Sequence, residues 1–255
     1  MFTREIVLTL GISTLAIGCA EQSSETQETV DNLVQAGFPA DDIMVVDGVV
    51  YVGNDAAVSL EASREMLQTD PSTSHEQYRT TNLVAASVTN ICVNGAAFTG
   101  SFSTALNNAI ARYNALGLSF HMTRTAGSTT GCSAVITARV ASGTGGSSGF
   151  PSGGRPFNTI NIGSGLQTFP LMTMGFVMMH ELGHTIGLRH SDFFNRSISC
   201  GGAATNEGDG GVGAILIPGT PSGATVGGSV MNSCFRTNEI DQFTATDVTA
   251  LNALY

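Results

Sequence analysis

Three of the five histidines in this 255-residue chain, His180, His184 and His190, fall within eleven positions. The string reads His180-Glu181-Leu182-Gly183-His184-Thr185-Ile186-Gly187-Leu188-Arg189-His190. On a helix, side chains four positions apart share a face, so His180 and His184 can reach one metal ion through their imidazole nitrogens. Glu181 comes next in the chain, beside the metal and pointing to where a bound water would lie. Gly187 can take a positive φ without steric cost, which ends the helix and brings His190 back as a third ligand. Three neutral nitrogens leave one zinc position open, the arrangement of a catalytic site rather than a closed structural one. The chemistry is hydrolysis by a zinc-activated water, with Glu181 as general base. The remaining histidines, His75 in a polar stretch and His121 on an expected strand, read as solvated or hydrogen-bonded imidazoles.

The string resembles the metzincin signature H-E-x-x-H-x-x-G-x-x-H of zinc endopeptidases. That resemblance implies a methionine turn beneath the metal. Ser229-Val230-Met231-Asn232 stands about forty residues on, in the context expected for such a turn. Met231 is then an apolar floor under the histidines and not a ligand. His190-Ser191 is similar to matrixins. The chain as a whole resembles the bacterial dual-action HEIGH metallopeptidases described from myxobacteria. That likeness rests also on Gly-Phe-x-x-Asp-x-Ile at 37–43, Gln77-Tyr78-Arg79-Thr80, Ala109-Ile110-Ala111-Arg112-Tyr113-Asn114 and Arg189-His190-Ser191-Asp192. Only the zinc string is highly specific. Leu182 replaces the isoleucine of the family name, and no tyrosine follows the methionine turn, so a tyrosine ligand is not implied. Asp192, next to the third histidine, has three readings: it orients a ligand imidazole, anchors the turn, or is an ordinary loop carboxylate.

These residues need elements to hold them. Residues 171–186, following Pro170, read as the helix that carries His180, Glu181 and His184. Before it, residues 83–93, 118–122, 134–140 and 157–162 read as strands, and 102–116 as a helix with Ser101 as N-cap. Residues 143–154, rich in Gly and Ser, read as a loop, and 157–162 as the sheet edge to which a peptide substrate would add as a strand. Thr244 to Asp247 offers a capping box for a carboxy-terminal helix. The expected fold class is α+β: a metzincin-like twisted, mostly parallel sheet with a long active-site helix, a methionine turn and a carboxy-terminal helix, preceded by a small α+β module. In that module, 32–38 reads as a short helix. Residues 43–46 and 49–52 flank the hairpin signal Asp47-Gly48, and 59–67 reads as a helix capped by Ser59.

The amino terminus reads as an export signal. An apolar run over residues 6–17 follows Arg4 and is too short to span a bilayer. It ends Leu15-Ala16-Ile17-Gly18-Cys19, which resembles the lipobox of bacterial lipoproteins. Two outcomes stay open: lipidation of Cys19 after cleavage behind Gly18, or full secretion after cleavage near Ala20. The expected organisation is a signal at 1–18, a polar tether at 19–31, a propeptide or auxiliary module with its linker at 32–77, and the catalytic domain at 78–255. The module has no cysteine to cap zinc. A carboxylate such as Asp55 is the alternative cap, and a permanent subdomain the competing reading. The other four cysteines fit two disulfides in an oxidising compartment. Of three possible connectivities, pairing sequence neighbours gives Cys92–Cys132 and Cys200–Cys234.

A formal net charge of −10 with no lysine argues against a nucleic-acid partner. The expected partner is a peptide or protein substrate, the expected state a monomer, and the only membrane contact a lipid on Cys19. Zinc is the expected cofactor. Glu207-Gly208-Asp209-Gly210 reads either as calcium ligands or as a solvated loop. A non-catalytic zinc-bearing adhesin and a hydrolase of non-peptide amides or esters are the alternatives, and retention of Glu181 counts against the adhesin.

Overall fold

The computed structural model describes residues 23–67, 77–208, 214–221 and 223–255. The signal segment, Cys19, His75, most of the linker, Asp209 and Gly210 lie outside these residues. The first helix, α1 (Ser24–Gln35), is followed by β1 (Met44–Val46), β2 (Val49–Val52), β3 (Ala56–Val58) and α2 (Leu60–Met66). Beyond the linker come β4 (Tyr78–Arg79), β5 (Asn90–Asn94), α3 (Gly100–Asn114), β6 (His121–Thr125), β7 (Ala134–Ala141), β8 (Gly146–Gly149) and β9 (Thr159–Gly163). A 3-10 turn leads into α4 (Leu171–Thr185), then α5 (Ser197–Cys200), β10 (Ile215–Leu216) and α6 (Ala245–Leu254).

One eight-stranded sheet runs in the order β1-β2-β3-β8-β9-β7-β5-β6. β9, β7, β5 and β6 pair in parallel, β8 runs antiparallel to β9, and β3 runs parallel to β8. The expected α+β class and mostly parallel sheet are what the chain forms. β7 shows the period-2 burial of a strand with one covered face: Ala134, Ile136 and Ala138 are buried. The main core joins them to Ile91, Val93, Leu106, Ile110, Ile160, Ile162, Met178 and Leu182. α4 packs on α3, β8 and β9 and is buried from Thr173 to Thr185. A helix covered on every side is mostly apolar all round, and the buried polar side chains of α4 include the site residues His180, Glu181 and His184.

Several sequence expectations change: Thr99, not Ser101, precedes α3, the strand expected over 118–122 is His121–Thr125, and the helix expected over 32–38 is the end of α1. The segment 19–31, taken as a tether, is helical in its described part. Ser23 caps α1, and the face it buries is Thr26, Thr29 and Leu33, which looks polar in the sequence. The strand expected over 83–93 is only Asn90–Asn94, because local bonds such as Val88 N to Ala85 O turn the preceding chain. The segment 143–154 is not wholly a loop: its small residues form β8, where Ser148 Oγ donates to the Glu181 carbonyl at 2.9 Å. The segment read as the sheet edge is β9, an interior strand between β7 and β8.

The amino-terminal module has a second core, of Leu33, Phe38, Val50, Val52, Ala56, Val58, Ala62 and Met66. Phe150, from the chain just after β8, is buried in it. A segment this short lacks the interior to stand alone; here a residue from beyond the linker completes it, and the sheet continues through both parts. Disulfides join Cys92 to Cys132 and Cys200 to Cys234, with Cα–Cα distances of 5.5 and 5.0 Å.

Candidate metal centre

α4 ends where the sequence places Gly187. That residue sits at φ 105°, and a Cβ there would lie 2.7 Å from the Asn82 carbonyl. The turn sends the chain back along the helix, and Arg189 N bonds to the Tyr78 carbonyl at 2.8 Å. His190 thereby joins the two helical histidines. The Nε2 atoms of His180 and His184 lie 3.0 Å apart, and that of His190 is 3.3 Å from His180 Nε2.

Each Nδ1 faces an acceptor: the Val230 carbonyl for His180 at 2.8 Å, the Leu188 carbonyl for His184 at 2.8 Å and Glu207 Oε1 for His190 at 2.7 Å. With the protons on Nδ1, three Nε2 lone pairs point at one another. That arrangement is repulsive unless a cation lies between them, so the donor set fits a zinc ion.

A fourth group closes the set. Asp55, on the turn before β3, places Oδ2 3.0 Å from His190 Nε2 and 3.6 Å from His180 Nε2, and Oδ1 3.8 Å from His184 Nε2. These four donors lie within 4.8 Å of one another. Burial alone would raise the Asp55 carboxyl, but the imidazoles, His190 first, outweigh it and hold it well below its ordinary value. Burial, with His180 next, pushes His184 well below the ordinary histidine value and so toward the neutral form a ligand needs.

Glu181 is buried beside this cluster. Burial first, and the Asp55 carboxylate second, raise its pKa well above the usual range. Its Oε2 makes no hydrogen bond among the described residues. Glu181, His180 and Asp55 line a cavity of about 190 Å³, with Phe176, Val177 and Phe235 on its apolar side.

Met231 is fully buried beneath α4. A Cβ on Gly183 would fall 2.6 Å from its sulfur, so glycine in the zinc string is what lets the turn approach the helix. Asp247 holds the turn by accepting from Ser229 Oγ at 2.6 Å, Val230 N at 3.0 Å and Thr244 N at 2.9 Å. Asp192 reaches no imidazole. It accepts from Ser233 N and Ser199 Oγ, at 2.9 and 2.6 Å, and so ties the loop after His190 to the loop after Met231, beside Cys200–Cys234.

Glu207 and Asp247 are site-supporting carboxylates that the sequence marked only for other roles, a possible calcium loop and a helix cap. Glu207 is buried against His190, Arg189 and Arg196, which engage its carboxylate. No spacing rule links position 207 to position 190. Asp247 shows in the sequence only as a helix cap.

The chain has counterparts among known proteins. Two solved structures superpose with a TM-score of 0.40 each. One is myroilysin, 14% identical over 67% of this chain and 93% of its own. The other is high choriolytic enzyme 1, a hatching-enzyme zinc-protease from Oryzias latipes (medaka fish), 15% identical over 69% of this chain and 98% of its own. No curated protein matches it in sequence. The sequence model of the dual-action HEIGH metallo-peptidases matches residues 50–255, from β2 through the zinc string to the last residue, and to this family the chain belongs.

Proposed function

We propose that the chain is an exported zinc endopeptidase, kept latent by its amino-terminal module. The observation that carries the reading is the buried Glu181 carboxyl group, one oxygen without a hydrogen-bond partner among the described residues, beside three converging imidazole nitrogens at a cavity with Phe176, Val177 and Phe235 on one side. Bound there by His180, His184 and His190, zinc would polarise a peptide carbonyl and lower the pKa of its water. Glu181 takes the proton from the attacking water and passes it to the departing amine. The Nδ1 hydrogen bonds fix each imidazole's tautomer and angle, and Met231 fills the space below them.

Latency follows from two contacts. Asp55 stands in the fourth ligand position, where the water would be. β3 lies along β8, the strand edge that a peptide would otherwise extend. Export is supported by the apolar run at 6–17 and by the pairing of four cysteines in two disulfides, with Cys19 as the proposed lipid attachment site.

Casein or peptide hydrolysis by the zinc-loaded chain, after cleavage in the 68–76 linker, tests the reading. Phenanthroline abolishes it, and Glu181→Gln lowers kcat by about 10²- to 10⁴-fold, the usual worth of a general base, while zinc stays bound. A Glu181→Gln chain as active as the native one ends the proposal.

A further inference from the structure

Arg196, just before α5, is almost enclosed, at 9% exposure, and its side chain reaches the cavity that Asp55 and Glu181 line. Its Nε lies 3.3 Å from Glu207 Oε1. That carboxylate is shared with His190 and Arg189, so one negative charge faces more than one basic group. The outer edge of the guanidinium is satisfied by the turn just before Asp55. Nη1 donates to the Gly53 carbonyl at 2.9 Å. In the amide orientation that satisfies both groups, Asn54 Oδ1 accepts from Nη1 at 2.6 Å and from Nη2 at 3.3 Å. Asn54 holds this pose at φ 70°, a left-handed conformation that Asn and Asp tolerate better than most residues.

Position 54 therefore sets a side-chain oxygen on a guanidinium, one residue from a carboxylate in the metal-ligand position. Once the module leaves, that fork of N–H donors opens onto the cavity. A partly desolvated guanidinium is matched best by a carboxylate, which can accept two parallel hydrogen bonds where a carboxamide oxygen offers less charge. A lysine side chain there would meet like charge.

We propose that Arg196 is a specificity-determining residue: it binds an aspartate or glutamate side chain of the substrate next to the scissile bond, and Asn54 fills that subsite in the latent chain as an uncharged stand-in. The inference rests on the peptidase reading and on displacement of the module. Its first test needs no turnover. In the uncut chain, Asn54→Asp adds the charge that Arg196 prefers. Amide hydrogen exchange in β3 is expected to slow about fivefold, the difference between a charged and a neutral hydrogen bond. Arg196→Gln should remove that slowing. Exchange that does not slow in Asn54→Asp, or that slows equally without Arg196, overturns the proposal. In the second test the linker-cleaved chain is offered peptides with Asp, Glu, Ala or Lys at each position flanking the cut. The native chain is expected to favour an acidic residue over alanine by roughly tenfold at one position, within the range of one charge-assisted contact. Arg196→Gln should bring that ratio near one, and Arg196→Glu should favour Lys. A native ratio near one, or a ratio unchanged in Arg196→Gln, overturns the specificity. Absence of any turnover by the native chain would instead sink the peptidase reading and leave the exchange result to report on Arg196 alone.

Discussion

Glu207 shows how a residue outside the zinc string governs it. His180 and His184 take their orientation from backbone carbonyls that the fold supplies, but His190 depends on a side chain 17 positions away. With a proton on the Nδ1 that faces this carboxylate, Nε2 keeps the lone pair a metal ion would take. Glu207→Ala is therefore expected to weaken zinc binding by about 10- to 100-fold, as loss of a ligand's hydrogen-bond partner generally does. Chelator competition measures it, and an unchanged zinc affinity would reduce Glu207 to a packing role. Asp192 is the instructive contrast. It lies two positions from the ligand in sequence yet braces two loops by way of Ser199 and Ser233. Closeness in sequence did not foretell contact with the imidazole.

At the scale of elements, the turn after α4 is the critical joint. Gly187 combines a positive φ with backbone contact to Asn82. Gly187→Ala puts a Cβ both into the left-handed region and against a carbonyl, and should cost at least about 1–2 kcal/mol. A thermal melt reads that loss, and zinc content reads the displacement of His190. The seam between module and sheet is the second joint. Phe150 is buried in the module's core and stacks edge-on against His184 at 5.6 Å. Phe150→Ala should cost about 3–5 kcal/mol, the usual range for a buried phenylalanine. The loss should appear first as faster exchange in β1–β3, with β5, β7 and β9 still protected; uniform loss of protection would mean that the seam unfolds with the whole.

At the scale of the whole molecule, the amino-terminal strands extend the main sheet through the pairing of β3 with β8, and the turn before β3 sets Asp55 beside the three histidines. On the proposed latency, two restraints would act together, the Asp55 carboxylate among the zinc-binding histidines and β3 along β8, so removing one should release the site only in part. In the uncut chain, Asp55→Ala is expected to raise peptide hydrolysis above background while staying below that of the linker-cleaved protein. Activity equal to the cleaved form would show that β3 does not obstruct substrate; no rise at all would show that β3 suffices alone.

The eleven-residue zinc string, the hairpin at Asp47-Gly48, the Ser59 and Thr244 caps and α4 could all be read directly, because each depends on residues within a turn or two of one another. α1 could be read only at its end, within the helix expected over 32–38, since the buried positions of its first turns are Thr26 and Thr29, whose burial depends on what packs over them. Nor could β8, whose Gly and Ser residues signal a loop until β9 and β3 flank them. Local spacing thus determined which residues can hold zinc. The sequence offered Asp55 only as one possible cap; the tertiary structure alone decided that it meets the histidines, and brought Glu207, Arg196 and Asp247 to the site's surroundings by long-range packing that no sequence interval encodes.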